Sequence, residues 1–214
     1  MKRYDCLRAI APHFADELVV TNLGAVRHEW QALRPHHGNY HLQNLGLTSS
    51  MALGLALALP HRKVVAFDGD GSLLLNLGSL ATIANQHPKN LVHVVFDNEC
   101  YESSRGAPTA TAGQADLAAI ARGCGIANVL TAKTLDEFEN GFMRALRDDN
   151  LYFIHAKVEE GGSGIAVKIA LQISVRALHR EKRKHKNPHL DAVASKHNAL
   201  KIGRPLAALF QFCG

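Results

Sequence analysis

Asp70, flanked by Gly69 and Gly71 and followed by Ser72, and Asn98, which closes the next apolar run, have types and spacing suited to chemistry. Residues 64–67 read as a short buried strand and residues 91–96 as a second. Between them, residues 73–85 have helical length and apolar character, and Pro88 stops the helix because proline lacks the amide a helix needs. Two strands joined through a helix make a parallel unit. The carboxyl ends of a parallel sheet share one edge, where ligands bind. Asp70 and Asn98 are therefore expected side by side as oxygen donors. One carboxylate and one amide carbonyl suit Mg²⁺, which keeps water and takes further ligands from phosphate. Gly69 and Gly71 let the backbone approach an anion closely. The amides around Gly71 and Ser72 open a helix whose positive end favours that anion. The stretch thus predicts a Mg²⁺–diphosphate site.

Gly69-Asp70-Gly71-Ser72, then residues 72–97 as spacer, then Asn98, resembles the motif of thiamine diphosphate-dependent enzymes. The resemblance runs over residues 1–165 and points to the pyrophosphate-binding subunit, or half, of sulfopyruvate and phosphonopyruvate decarboxylases. Val19-Val20-Thr21-Asn22-Leu23-Gly24, Asn44-Leu45-Gly46-Leu47 with Ala52-Leu53-Gly54, and Asp97-Asn98 with Glu102-Ser103 are similar to that group. By this resemblance Asp70, Asn98 and the Cys100 main-chain carbonyl hold Mg²⁺, and Gly46, Gly69, Gly71 and Ser72 hold the cofactor. Leu45 wedges between the two cofactor rings and enforces a bent shape. The carbonyl of Gln43 faces the cofactor's 4′-amino group. Glu102 is a second candidate catalytic residue. The reaction implied is decarboxylation of a small 2-oxo acid to an aldehyde. Members of the family take an activating glutamate from a pyrimidine-binding domain. At 214 residues this chain is too short for both domains, so a separate α subunit is expected to supply that glutamate.

The elements that must position these residues follow from the rest of the chain. The resemblance implies a three-layer α/β/α fold with a central parallel sheet over residues 1–165. A basic extension over 166–214 follows. Residues 18–21 form a first strand, 25–33 a helix, and 34–40 a polar loop rich in histidine. Residues 48–59 form a helix of small residues. Residues 116–124 form a helix, 128–130 a short strand, and 151–158 the last strand. Residues 134–147 are amphipathic, with Leu135, Phe138, Phe142 and Leu146 on one face, Thr134 as N-cap and Glu137 three later, which is a capping box.

Charge is uneven. Residues 1–160 carry 14 Lys and Arg against 17 Asp and Glu, a net of −3, and residues 161–214 carry 10 against 2, a net of +8. The basic balance belongs to the tail, so nucleic acid is not the expected partner of the catalytic body. Cys6, Cys100, Cys124 and Cys213 are scattered, which opposes a zinc or iron–sulfur site and a disulfide framework. Residues 1–11 are charged, unlike a secretory leader. No apolar run reaches the roughly 20 residues of a membrane span. A cytoplasmic enzyme is the placement these features imply.

Five other readings bear on these residues and their neighbours. Residues 64–72 resemble the first motif of haloacid dehalogenase phosphatases, with Asp68 as nucleophile, Asp70 as acid and Asp148-Asp149 as later metal ligands. A non-catalytic, cofactor-holding subunit keeps Asp70 and Asn98 without turnover. A carboligase of the acetolactate synthase type uses the same site with a second carbonyl acceptor. His36, His37 and His41 read as loop histidines or as proton shuttles. Arg105 could meet a substrate anion or point to solvent.

Overall fold

A computed structural model of the chain describes residues 1–164. The basic extension lies outside the described residues. Six strands form one sheet: β1 (Leu18–Thr21), β2 (Asn39–His41), β3 (Val64–Gly69), β4 (Leu91–Asp97), β7 (Asn128–Ala132) and β8 (Tyr152–Lys157). Two short strands, β5 (Cys100–Tyr101) and β6 (Ala107–Pro108), pair as a separate antiparallel hairpin. The main sheet runs β2-β1-β3-β4-β8-β7, and every neighbouring pair is parallel. The chain leaves β1 for β2 on one side and then crosses to β3 on the other. The crevice between the carboxyl ends of β1 and β3 is therefore the topological switch point, the usual ligand position in such a sheet.

Side chains alternate along each strand, so one strand feeds two cores. Val65 and Phe67 of β3 face helices α1 (Arg3–Ile10), α2 (Ala25–Leu33) and α7 (Leu135–Arg147), where Leu7, Trp30, Phe138 and Phe142 are fully buried. Val64 and Ala66 face α3 (Thr48–Ala58), α5 (Gly78–Gln86) and α6 (Leu117–Gly123), through Ala52, Leu80 and Leu117. Covering both faces explains why β3 and β4 are apolar along nearly their whole length. The α/β/α sandwich expected from the sequence is the fold.

Two local expectations are corrected, and a hairpin is added. The helix expected over 73–85 is two helices, α4 (Asp70–Leu74) and α5, with a turn between them. In that turn Asn76 Nδ2 donates to the Gly46 carbonyl (2.9 Å) and to Ser50 Oγ (3.1 Å), so the break pins the 44–50 segment to the motif turn. The polar loop over 34–40 ends in edge strand β2, whose Asn39 side chain accepts from Trp30 Nε1 (3.0 Å). The stretch after Asn98 is a folded hairpin. Pro108 stands opposite Cys100 in that hairpin and has no N–H to give the ladder.

Candidate functional site

The β3–β4 ladder sets the site. Gly69 pairs with Phe96, so Asp70, which follows β3, and Asp97-Asn98, at the end of β4, leave the same edge side by side. Gly69 precedes the first helical residue, and Asp70 to Leu73 are buried. The 98–109 hairpin folds back over this turn. Thr109 Oγ1 lies 2.6 Å from Asp70 Oδ2, Thr111 Oγ1 lies 3.3 Å from it, and Thr111 Oγ1 lies 2.7 Å from Asp97 Oδ1. Thr109 and Thr111 are 2.8 Å apart. Both threonines take Oδ2 and no side chain donates to Oδ1 among the described residues, so Oδ1, on a carboxylate that also feels the Gly71 N–H, is the oxygen left for a ligand.

The electrostatics of the two carboxylates differ. Burial, joined by the charge of Asp97, raises the Asp70 pKa against the lowering effect of Thr109 and Thr111. A cation beside Asp70 would offset that cost. Burial would raise Asp97 too. Hydrogen bonds from His155 (2.6 Å), Thr111 and Lys157 (3.0 Å) outweigh it and hold Asp97 well below the ordinary carboxylate range. Asp97 is thus an ionised anchor with its own cation, Lys157, and Asp70 is a carboxylate without one.

Asn98 is buried, and its amide has a defined orientation. Its Nδ2 donates to Glu102 Oε1 (2.8 Å), while its Oδ1 accepts only a long 3.4 Å bond from the Cys100 N–H. The carbonyl end is therefore the free end. Cys100 is buried, and burial pushes its thiol up to about 11, so the thiol stays protonated at neutral pH. The Thr109 N–H donates to the Glu99 carbonyl (3.0 Å), which makes Cys100 and Pro108 a non-hydrogen-bonded pair, so the Cys100 carbonyl points away from the hairpin ladder. Among the described residues, no group of three or more His, Cys, Asp or Glu side chains is arranged for a metal ion. The donor set at this edge has one carboxylate, one amide oxygen and one main-chain carbonyl, the hard and weakly charged set that suits Mg²⁺.

The glycines and Ser72 have neighbours of their own. A Cβ on Gly71 would stand 2.4 Å from Tyr101 Cε1, and one on Gly69 would stand 3.0 Å from Asn22 Nδ2. Ser72 Oγ accepts from the Gly46 N–H (3.0 Å), which joins the 44–46 segment to the GDGS turn. Gly46 has a φ of +80°, and a Cβ there would press on Leu75 at 3.2 Å. Leu45 is half-buried and belongs to neither hydrophobic core. Gln43 is exposed, and its side chain accepts from Arg27 (3.0 Å).

Sequence reasoning missed Thr109 and Thr111 and gave Asn22 no role in the site. The two threonines reach Asp70 only because the hairpin folds back. Asn22 ends β1 at the switch point. Its Oδ1 is buried without a partner, and its amide makes no hydrogen bond among the described residues. A buried amide without partners costs stability unless something fills its needs. Its place at the carboxyl end of β1 was the available signal.

Other expectations resolve differently. His41 has both ring nitrogens engaged, by Thr21 Oγ1 (2.8 Å) and Gln31 Oε1 (2.9 Å), and His36 Nδ1 accepts from the Gly38 N–H (3.1 Å). Both are structural. Arg105 sits exposed in a left-handed turn (φ 58°) and makes no ion pair among the described residues. The phosphatase reading fails. Asp68 is buried against the second core, with Oδ1 accepting from the Gly69 N–H and Oδ2 facing His93 at 3.4 Å. No substrate reaches it. Asp148 precedes β8 and so lies at the opposite sheet edge, tied to Tyr152 and Asn150.

Comparison with known proteins agrees with this geometry. The family model described as thiamine pyrophosphate enzyme, C-terminal TPP binding domain, matches residues 21–156. The chain is 39% identical over 158 residues to sulfopyruvate decarboxylase subunit beta of Methanocaldococcus jannaschii, covering 73% of this chain and 83% of that one. It is 35% identical over 155 residues to phosphonopyruvate decarboxylase of Streptomyces viridochromogenes, covering 72% of this chain and 38% of that one. Benzoylformate decarboxylase from Polynucleobacter necessarius superposes with a TM-score of 0.65 at 22% identity, over 76% of this chain and 34% of that structure, a likeness of fold. Among the described residues no helix is long and apolar enough to cross a membrane. The family match and the decarboxylase relatives lead to one conclusion: this chain belongs to the thiamine diphosphate-dependent enzymes, as a C-terminal-type cofactor-binding domain of their decarboxylase branch.

Proposed function

We propose that this chain is the cofactor-holding β subunit of a 2-oxo acid decarboxylase of the sulfopyruvate and phosphonopyruvate type, dependent on Mg²⁺ and thiamine diphosphate. The observation that carries the reading is the free-oxygen set at one sheet edge: Asp70 Oδ1, the Asn98 carbonyl end and the Cys100 main-chain carbonyl. Those three would hold Mg²⁺. Gly69, Gly71, Ser72 and the unpartnered Asn22 amide would face the diphosphate, and Gly46 and Gln43 would line the path to the rest of the cofactor. Leu45 would bear on its rings. When bound, the cofactor supplies the nucleophile for the oxo carbon and the sink for the electron pair left as carbon dioxide departs. The chain's own residues bind, orient and exclude water. The hairpin over Asp70 serves the last of these. Relatives named for sulfopyruvate and phosphonopyruvate suggest a short 2-oxo acid with a second anionic group.

The test is to co-purify the chain with its partner and measure carbon dioxide release from a panel of 2-oxo acids, with Asp70→Ala as control. We expect release that depends on Mg²⁺ and thiamine diphosphate, and loss of Mg²⁺-dependent cofactor binding in D70A. Unchanged cofactor affinity in D70A overturns the assignment.

A further inference from the structure

A chain of charged side chains, buried at Arg3 and Glu29 and partly exposed at Glu102, runs from the first helix to Asn98. Arg3, the first residue of α1, is only 7% exposed, and Glu29 on α2 is 1% exposed. Arg3 Nε donates to Glu29 Oε2 (2.9 Å), and Arg3 Nη2 donates to Glu102 Oε2 (3.5 Å). Glu102 Oε1 accepts from Asn98 Nδ2 (2.8 Å) and from the Gly161 N–H (3.0 Å). Glu29 Oε1 accepts from the Ser163 N–H (2.9 Å). The residues span most of the described chain, yet they converge on one amide.

Stability is a poor explanation for this arrangement. A buried ion pair rarely improves on apolar residues of similar volume, because desolvation cancels much of the attraction. A cation at the start of a helix also opposes the helix dipole. The site at the end of the chain offers a better one. An asparagine amide has two ends of almost equal shape and opposite polarity. Turned one way, it offers an oxygen to a cation; turned the other, it offers N–H groups. A carboxylate only accepts, so Glu102 can hold the Nδ2 end and no other. The Cys100 N–H meets the opposite end, which agrees.

We infer that Glu102 is a positioning residue that fixes which end of Asn98 faces the metal, and that Arg3, anchored by Glu29, fixes Glu102. The inference rests on the reading that Asn98 is a Mg²⁺ ligand. It moves Glu102 from candidate catalytic residue to a residue that acts through Asn98.

The experiment measures Mn²⁺ affinity by electron paramagnetic resonance, as a probe for Mg²⁺, on the full-length chain with its partner and saturating thiamine diphosphate. Thermal melts run alongside. Glu102→Ala is expected to weaken Mn²⁺ binding ~10-fold or more, as loss of a group that orients a ligand does. Glu102→Gln, whose amide oxygen still accepts from Asn98, is expected to recover most of that affinity. Arg3→Met is expected to lose less, and to add nothing in the E102A background, since both act on one group. Arg3→Lys serves where R3M does not fold, with the same expectation. E102A with wild-type affinity, beside a D70A that has lost binding, overturns the positioning role and leaves the proposed function standing. Equal losses in E102A and E102Q, or additive losses with Arg3, overturn the orienting mechanism. A wild type that binds no Mn²⁺ with thiamine diphosphate overturns both.

Discussion

At the residue scale, each position in the GDGS turn answers to a neighbour as well as to a ligand. Gly71 shows this most sharply, because a Cβ there would stand 2.4 Å from the Tyr101 ring. Glycine at this point lets the hairpin close against the turn. Gly71→Ala should cost about 1–3 kcal/mol through overpacking. In a Tyr101→Ala background the same change should cost much less, because the clashing ring is gone. Thermal melts of the four proteins in this cycle check it, and strict additivity would show that the two residues do not meet. The oxygens around Asp70 follow the same logic. Thr109 and Thr111 occupy Oδ2, which leaves Oδ1 and a carboxyl that burial makes costly to ionise without a cation.

At the element scale, caps and breaks do the positioning. The break between α4 and α5 turns Asn76 toward Gly46 and so joins the 44–46 segment to the GDGS turn. Helix α6, beneath the second core, starts at Asp116, whose Oδ1 accepts from the N–H groups of Ala118 (2.9 Å) and Ala119 (3.0 Å). Those backbone donors depress the Asp116 pKa. A depressed carboxylate pKa stabilises the fold above its unfolded value of about 3.9 and loses that contribution as pH falls through the lower folded value. Asp116→Ala should therefore cost ~1 kcal/mol near neutral pH. The gap to wild type should close below about pH 3.9. Urea unfolding of both proteins at pH 7 and in acid checks the sign; a gap that widens in acid contradicts it. The capping box of α7 was readable because its partners, Thr134 and Glu137, sit within one turn.

At the scale of the whole molecule, our proposal makes the fold one half of a shared site. The chain spans 83% of sulfopyruvate decarboxylase subunit beta of Methanocaldococcus jannaschii but 34% of the benzoylformate decarboxylase structure it superposes on. On our proposal, the remaining function, including the activating glutamate, comes from a second subunit. The purified chain alone should release no carbon dioxide from any 2-oxo acid in the panel, and adding the partner should restore turnover. Full turnover by the chain alone would place the whole site within it. Cys6, buried with its thiol pushed up to about 12 by burial, and the aromatic group of Phe14, Trp30, Phe67 and Phe142 keep the first core dry.

The sequence by itself determined the parallel unit, the two-faced apolar strands, the α7 cap and the pairing of Asp70 with Asn98 at one edge. Each of these follows from periodicity or from a turn a few residues long, and the parallel ladder carries the local pattern into space. Tertiary structure alone decided the rest. The threonines over Asp70, the Asn22 amide at the switch point, the split of the expected helix and the run from Glu29 through Arg3 and Glu102 to Asn98 depend on contacts between segments far apart in the chain. Local propensity carries no trace of such contacts. They exist because packing α1, α2 and the hairpin on one sheet brings together polar groups that lie far apart in the chain.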